Sequence, residues 1–339
     1  MAIGQWTSSI IGLICMSLSA AATERLPRLH ALTDEWTVSG LSAGAYMASQ
    51  VAVAHSRQVR GVGVFAGGPF YCVGIDQRRA QGECLTGAPA AAVARREAER
   101  LAALRLVDPV DGLAAVRAWV VAGAVDPVIA EPVVRATAQF FSSFNASGTV
   151  FEVQPGLGHG LPTLDFGVDC GATASPFINR CGVPAVARML EHLLPAAPVT
   201  AGAAGRLLAI DQDEFVPALR RFWKTTSLDS TAYVFVPQQC GRTRCRVHVA
   251  LHGCRQGAAL VGDAFARHAE YNEWAAARSL IVLYPQVRPV EPSLIAWWLP
   301  RNPHGCWDWW GYTGPDYATR NAVQITAIVA MVARLGEKP

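Results

Sequence analysis

The chain has 339 residues, of which 51% are apolar and 16% charged, enough to bury the core of one large α/β domain or two small ones and too apolar for a disordered segment. Its net charge is +3 and its 29 basic residues are scattered, apart from pairs such as Arg95-Arg96 and Arg220-Arg221. That excludes the basic stripe of a nucleic-acid-binding surface and favours a neutral or apolar partner.

At the N-terminus, the apolar run Ile10 to Met16 is followed by Ser19-Ala20-Ala21-Ala22-Thr23, the pattern of a secretory signal over residues 1–22, although no Lys or Arg precedes it. The run is too short for a transmembrane anchor, so no stable membrane insertion is expected. Beyond it, residues 23–339 are expected to form a single domain. Cysteine usage points to export as well: without Cys15, an even set remains, as suits an oxidised chain. Sequence alone leaves the connectivity open. Pairing of neighbours is the simplest expectation: Cys72 with Cys84, Cys170 with Cys181, Cys240 with Cys245, and Cys254 with Cys306. Neither C-x-x-C nor H-E-x-x-H spacing occurs, so no metal site is expected.

The segment Trp36 to Met47, WTVSGLSAGAYM, contains Gly40-Leu41-Ser42-Ala43-Gly44, a G-x-S-x-G pattern in which a β-prone run delivers a serine into a small-residue helix. A nucleophile on so sharp a turn needs small neighbours, because strand and helix approach closely. Val59 to Phe65 predicts a strand leading into the loop Ala66 to Pro69, and Ala90 to Leu106 an exposed amphipathic helix. Arg117 to Val121 predicts a buried strand followed by Asp126, then a helix over Pro132 to Phe141. Thr149 to Val153 predicts another strand, followed by the glycine-rich loop Pro155 to Gly160 carrying His159. Asp126 could be a turn former, and Asp108 and Asp111 are rivals, but both precede their strand. Ser42, Asp126 and His159 thus follow three strands in the chain order of an α/β-hydrolase triad.

Such hydrolases also need a loop that donates a second N–H to the oxyanion, normally before the nucleophile. Here it comes late: Cys245 to Leu251 alternates like a strand and enters His252-Gly253-Cys254, with a further strand at Leu280 to Tyr284 and a last helix over Asn321 to Leu335. Joining Pro339 to residues near Leu32 restores the usual order, so a circular permutation is expected. His248 and His252 lack further ligands for a metal pair. Five of the ten tryptophans fall in Trp297-Trp298 and Trp307, Trp309 and Trp310, and a Cys254–Cys306 bridge would place the latter group along a substrate cleft.

These residues resemble a known family. GLSAGAYM at Gly40, GLGHGLPT at Gly156, SPFINRCG at Ser175, HVALHGCRQG at His248, YNEWA at Tyr271, VLYPQ at Val282 and NPHGCWDWWGY at Asn302 are similar to the extracellular poly(3-hydroxybutyrate) depolymerases, type II catalytic domain, over Trp36 to Leu335. The resemblance implies a circularly permuted α/β-hydrolase fold, with a mostly parallel central sheet flanked by helices. It implies Ser42 as nucleophile, Asp126 as orienting acid, His159 as general base, and the N–H groups of Ala43 and Cys254 as oxyanion hole. Trp307, Trp309, Trp310 and Tyr312 would form ester-chain subsites. The resemblance further implies a secreted, monomeric, cofactor-free serine esterase that hydrolyses poly(3-hydroxybutyrate) or related short-chain polyhydroxyalkanoates, with residues 23–339 as a single catalytic domain and no separate substrate-binding domain. An exported esterase for aryl or carbohydrate esters of feruloyl or acetyl type, and a catalytically inactive polyester- or glycan-binding protein, are the rival expectations. Gly160 departs from the family, which carries a larger Thr there, so the packing behind the base is expected to differ.

Overall fold

The computed structural model describes residues 23–194, 199, 204–222 and 225–339; the expected signal, residues 1–22, lies outside the described residues. The first half of the chain contributes strands β1 (Leu32–Leu41), β2 (Val59–Phe65), β3 (Arg117–Gly123) and β4 (Thr149–Gln154), with helices α1 (Ala43–Ala54), α2 (Ala91–Ala103) and α3 (Glu131–Ser142) between them. A three-stranded sheet of β5 (Leu161–Thr163), β6 (Val168–Asp169) and β7 (Ile178–Arg180) and the helix α4 (Ala185–Leu193) complete it. The second half contributes β8 (Gly205–Asp211), α5 (Ala218–Phe222), β9 (Thr231–Pro237) and β10 (Arg246–Leu251). Three short helices follow, α6 (Ala258–Val261), α7 (Ala264–His268) and α8 (Tyr271–Ala277), then β11 (Leu280–Tyr284) and α9 (Val323–Gly336).

The main sheet has eight strands in the order β4-β3-β2-β1-β10-β11-β9-β8. Strands β4 to β11 of that order are mutually parallel, whereas β9 and β8 run antiparallel to their neighbours. The last six residues of β1 are all buried, without the alternation of a one-sided sheet, as expected when both faces are covered. On one face Gly61 and Gly63 of β2 leave room for Leu193 and Met189 of α4. Against β1 and β2 also packs α1, which is buried along its whole length. Among the described residues, no helix is long and apolar enough to cross a membrane.

The permuted order expected from sequence appears as two adjacencies. Strand β10, which leads into the His252-Gly253-Cys254 turn, pairs directly with β1, which leads into Ser42, Gly40 opposite Leu251. The entry to β1 is bonded to the end of α9: Leu29 and Ala31 N–H donate to the Leu335 carbonyl at 3.1 and 2.9 Å, and His30 N–H to the Glu337 carbonyl at 2.9 Å. All four expected disulfides form. The helix expected over Ala90 to Leu106 ends at Ala103, because Arg105 turns left-handed at φ 60°.

Candidate active site

Ser42 joins β1 to α1 at φ 54° and ψ −121°, a strained conformation for a residue with a β-carbon. Its N–H donates to the Phe65 carbonyl at 2.9 Å, which ties the elbow to the end of β2. Both glycines of the motif are required by contact. A β-carbon on Gly40 would lie 2.3 Å from the Gly44 carbonyl carbon, and one on Gly44 would lie 2.3 Å from the Leu251 carbonyl oxygen. Helix α1 can therefore start only with its backbone pressed against the end of β10.

Asp126 lies beyond β3 and His159 beyond β4, and the structure brings the two together. Val128 and Ile129 N–H donate to Asp126 Oδ1 at 2.7 and 3.0 Å, while His159 Nδ1 lies 2.8 Å from Asp126 Oδ2. A carboxylate partner requires the proton on Nδ1, which leaves Nε2 free to act as a base. The side chain of Asp126 is fully buried and that of His159 nearly so. A β-carbon on Gly123 would lie 2.5 Å from the Leu157 carbonyl oxygen, so the acid and base loops share a close backbone approach.

The place behind His159 is filled from elsewhere in the chain. A β-carbon on Gly160 would fall 1.9 Å from Asn179 Oδ1. The Asn179 amide in turn donates to the Cys170 and Ala172 carbonyls at 2.8 and 2.7 Å, inside the loop closed by Cys170–Cys181. Asn179 thus occupies the space that a side chain at position 160 would take.

The oxyanion turn is held by side chains. His252 is buried, with Nδ1 donating to the Gly253 carbonyl at 2.7 Å and Nε2 accepting from Val287 N–H at 3.1 Å. Burial lowers its pKa to about 4, so the ring is neutral and this tautomer is fixed. Gly253 N–H donates to Gln256 Oε1 at 2.7 Å, and Arg255 N–H to the His304 carbonyl at 2.7 Å. Among the described residues, the N–H groups of Ala43 and Cys254 donate to no protein acceptor. A β-carbon on Gly253 would lie 3.4 Å from Ser42 Cβ, which sets the turn against the elbow. Beneath both, Thr37 Oγ1 and Ser39 Oγ of β1 lie 2.7 and 2.8 Å from the ring nitrogens of His248 on β10, and Tyr271 OH lies 2.7 Å from Ser39 Oγ. This polar cluster locks the two strands in register, and burial lowers the His248 pKa to about 3.

Ser42, His159 and Cys254 open onto one cavity of about 900 Å³, walled by apolar groups that include Val128, Ile129, Phe177, Trp309 and Trp310. Trp309 stacks on Tyr46 at 4.4 Å, and Trp310 packs edge-on to Trp309. Two of the expected subsite residues are elsewhere. Trp307 is fully buried, its ring 5.8 Å from that of His252, and supports the oxyanion turn from behind. Tyr312 turns its hydroxyl inward, donating to the Cys306 carbonyl at 2.7 Å and accepting from the Gln324 amide at 2.8 Å. The cause is Asp308, whose Oδ1 accepts the N–H groups of Trp310, Gly311 and Tyr312 and turns the chain sharply within the tryptophan run. Asp308, Tyr46, Gln256 and Asn179 were not identified from sequence. An Asp three residues before a glycine is a turn signal that singles out Asp308, whereas Tyr46 stacks on Trp309, Gln256 bonds to Pro176 and Asn179 fills the space at Gly160, pairings that no local pattern announces.

No family model matches the chain. It is 30% identical over 339 residues to a polyhydroxybutyrate depolymerase of Talaromyces funiculosus, a match covering 96% of this chain and 96% of that protein. The chain belongs to the poly(3-hydroxybutyrate) depolymerase family. Another member, from Delftia acidovorans, is 31% identical over 333 residues, or 95% of this chain, and the chain spans 64% of that protein's length. Among solved structures of the family, one PHB depolymerase complexed with R3HB trimer matches with a TM-score of 0.82 at 29% identity, covering 93% of this chain and 100% of that one. The PHB depolymerase of Penicillium funiculosum matches with a TM-score of 0.81 at 30% identity, with the same coverage.

Proposed function

We propose that the chain is a secreted serine esterase that hydrolyses poly(3-hydroxybutyrate) or related short-chain polyesters through an acyl-enzyme. The observation that carries this reading is the convergence on one apolar cavity of a serine on a strained elbow, a histidine oriented by a buried aspartate, and two N–H groups without a protein acceptor. His159 Nε2 takes the proton of Ser42 Oγ as the oxygen attacks the ester carbonyl. The alkoxide is held by the N–H groups of Ala43 and Cys254, worth on the order of a hundredfold or more in turnover for each donor. Collapse expels the alcohol end of the chain, protonated by His159, and leaves the acyl group on Ser42. Water, deprotonated by the same nitrogen, then releases a hydroxyacid or short oligomer. Asp126 holds the histidine tautomer and stabilises the imidazolium that forms in each half-reaction.

The four disulfides suit an oxidising compartment, which supports export. Trp309, Trp310 and Phe177 offer the ester chain an apolar wall. The test is clearing of an amorphous poly(3-hydroxybutyrate) suspension by the purified protein and by its Ser42→Ala variant. Clearing by the wild type alone is expected. Failure of the wild type to clear polymer and to release 3-hydroxybutyrate from oligomers would overturn the reading.

A further inference from the structure

The charge of the cavity wall is one-sided. It carries Arg78, Arg255 and Arg301, and among the described residues lining it there is no carboxylate. Arg78 is neutralised by Asp76, with Nε and Nη2 each 2.9 Å from a carboxylate oxygen. Arg255 and Arg301 form no salt bridge among the described residues. The guanidinium of Arg255 lies against the ring of His304 at 3.2 and 3.3 Å. Burial first, and then the Arg255 charge, lower the pKa of His304, against a smaller opposing effect of the Glu291 charge. The position of Arg255 is built: it directly follows Cys254, which is bridged to Cys306, and it sits left-handed at φ 61° with its N–H on the His304 carbonyl.

A polyester chain is neutral along its length and has no use for two unpaired cations. Its anion is the terminal carboxylate, which lies on the alcohol side of every ester bond in the chain and which each cleavage regenerates. Resting on the esterase reading above, we infer that Arg255 and Arg301 recognise the carboxylate end of hydroxyacid oligomers, so that acid-terminated chains are selected and cut near that end. Arginine suits the task, because its planar fork matches a carboxylate and its charge is permanent. Interior attack on long polymer gains nothing from the pair, whereas short acid-ended products are drawn back into the cavity for further cleavage.

The test uses calorimetric binding to the Ser42→Ala protein, which holds substrate without cleaving it. The probes are the 3-hydroxybutyrate trimer as free acid and as its methyl ester. The acid is expected to bind about tenfold more tightly at low ionic strength, an advantage that high salt screens away. Adding Arg255→Gln and Arg301→Gln is expected to remove the advantage, and Arg255→Lys with Arg301→Lys to keep part of it. Equal binding of acid and ester to the protein with both arginines intact, or a salt-sensitive advantage that survives both glutamine substitutions, would overturn the inference. Turnover of the two trimers by wild type is a separate readout: if neither is hydrolysed, it is the esterase reading that fails.

Discussion

The two halves of the chain fix their share of the site by different means. Residues 32–193 supply the proposed proton-transfer groups, Ser42, Asp126 and His159, each just beyond a parallel strand, with close approaches that only glycine allows, to backbone at Gly40, Gly44 and Gly123 and to the Asn179 side chain at Gly160. Residues 204–339 supply the His252-Gly253-Cys254 turn, proposed to face the oxyanion, and the aromatic wall. These are held by side-chain bonds from His252, Gln256 and Asp308 and by the Cys254–Cys306 bridge. One half is therefore placed by close approaches at glycines, and the other by side-chain bonds within its turns and one disulfide between them. They meet at the β1–β10 seam, and Gln256 reaches across it to the Pro176 and Phe177 carbonyls at 2.9 and 3.0 Å.

The comparison can be broken hardest at Asp126. Asp126→Asn is expected to lower kcat by up to about 10⁴-fold with little change in KM, because the amide favours the wrong histidine tautomer. A loss below tenfold in steady-state kinetics would mean that the acid does not orient the base.

Next in size is the staple of the second half. Replacing Cys254 and Cys306 together by serine opens a loop spanning 52 residues in sequence, for which chain entropy predicts a loss of about 4 kcal/mol. The same change at Cys240 and Cys245, separated by 5, is expected to cost only about 2 kcal/mol. Urea unfolding of both variants checks the ratio.

Gln256→Ala tests side-chain control of the oxyanion turn. It leaves Gly253 N–H unpaired and cuts the tie to residues 176 and 177, and kcat is expected to fall about a hundredfold while the fold persists. Unchanged kcat would show that the backbone alone holds the turn.

The last effect is in pH. His248 and His252 stay neutral in the folded protein down to about 3 and about 4, against an ordinary value of 6.5. Above pH 6.5 both folded and unfolded chains leave these rings neutral, so they confer no pH dependence. Below it the unfolded chain binds protons that the native state refuses. Stability then falls by up to about 1.4 kcal/mol per pH unit for each ring, until the folded pKa is reached. The urea midpoint is expected to hold between pH 7 and 8 and to drop by pH 5. Hydrogen exchange should show β10 losing protection in step, and a midpoint unchanged at pH 5 would contradict this.

The same contrast decides what could be read from sequence. Strands β2 and β11 have the bounds expected of them, since both are short, buried β-branched runs closed by turn residues. The acid–histidine contact follows from where Asp126 and His159 fall after β3 and β4. Strand β9 is not among the expected elements although it carries an aromatic and β-branched run, β8 is a half-exposed edge, and β5 to β7 have only two or three residues each, too few to show a period. The tryptophan run announces an aromatic structure but not which rings face the cavity. That choice is made by the Asp308 turn and the Cys306 bridge, which bury Trp307 and leave Trp309 and Trp310 on the wall. Gly160 reads from sequence only as a small residue behind the base, and its space goes to the Asn179 side chain.

The central claim is that these two halves close around one reactive serine. Labelling the wild type with a fluorophosphonate and mapping the adduct by peptide mass spectrometry tests it directly. A single adduct on Ser42, lost in Asp126→Asn and His159→Ala, is predicted. No adduct, or one on a different serine, would contradict it.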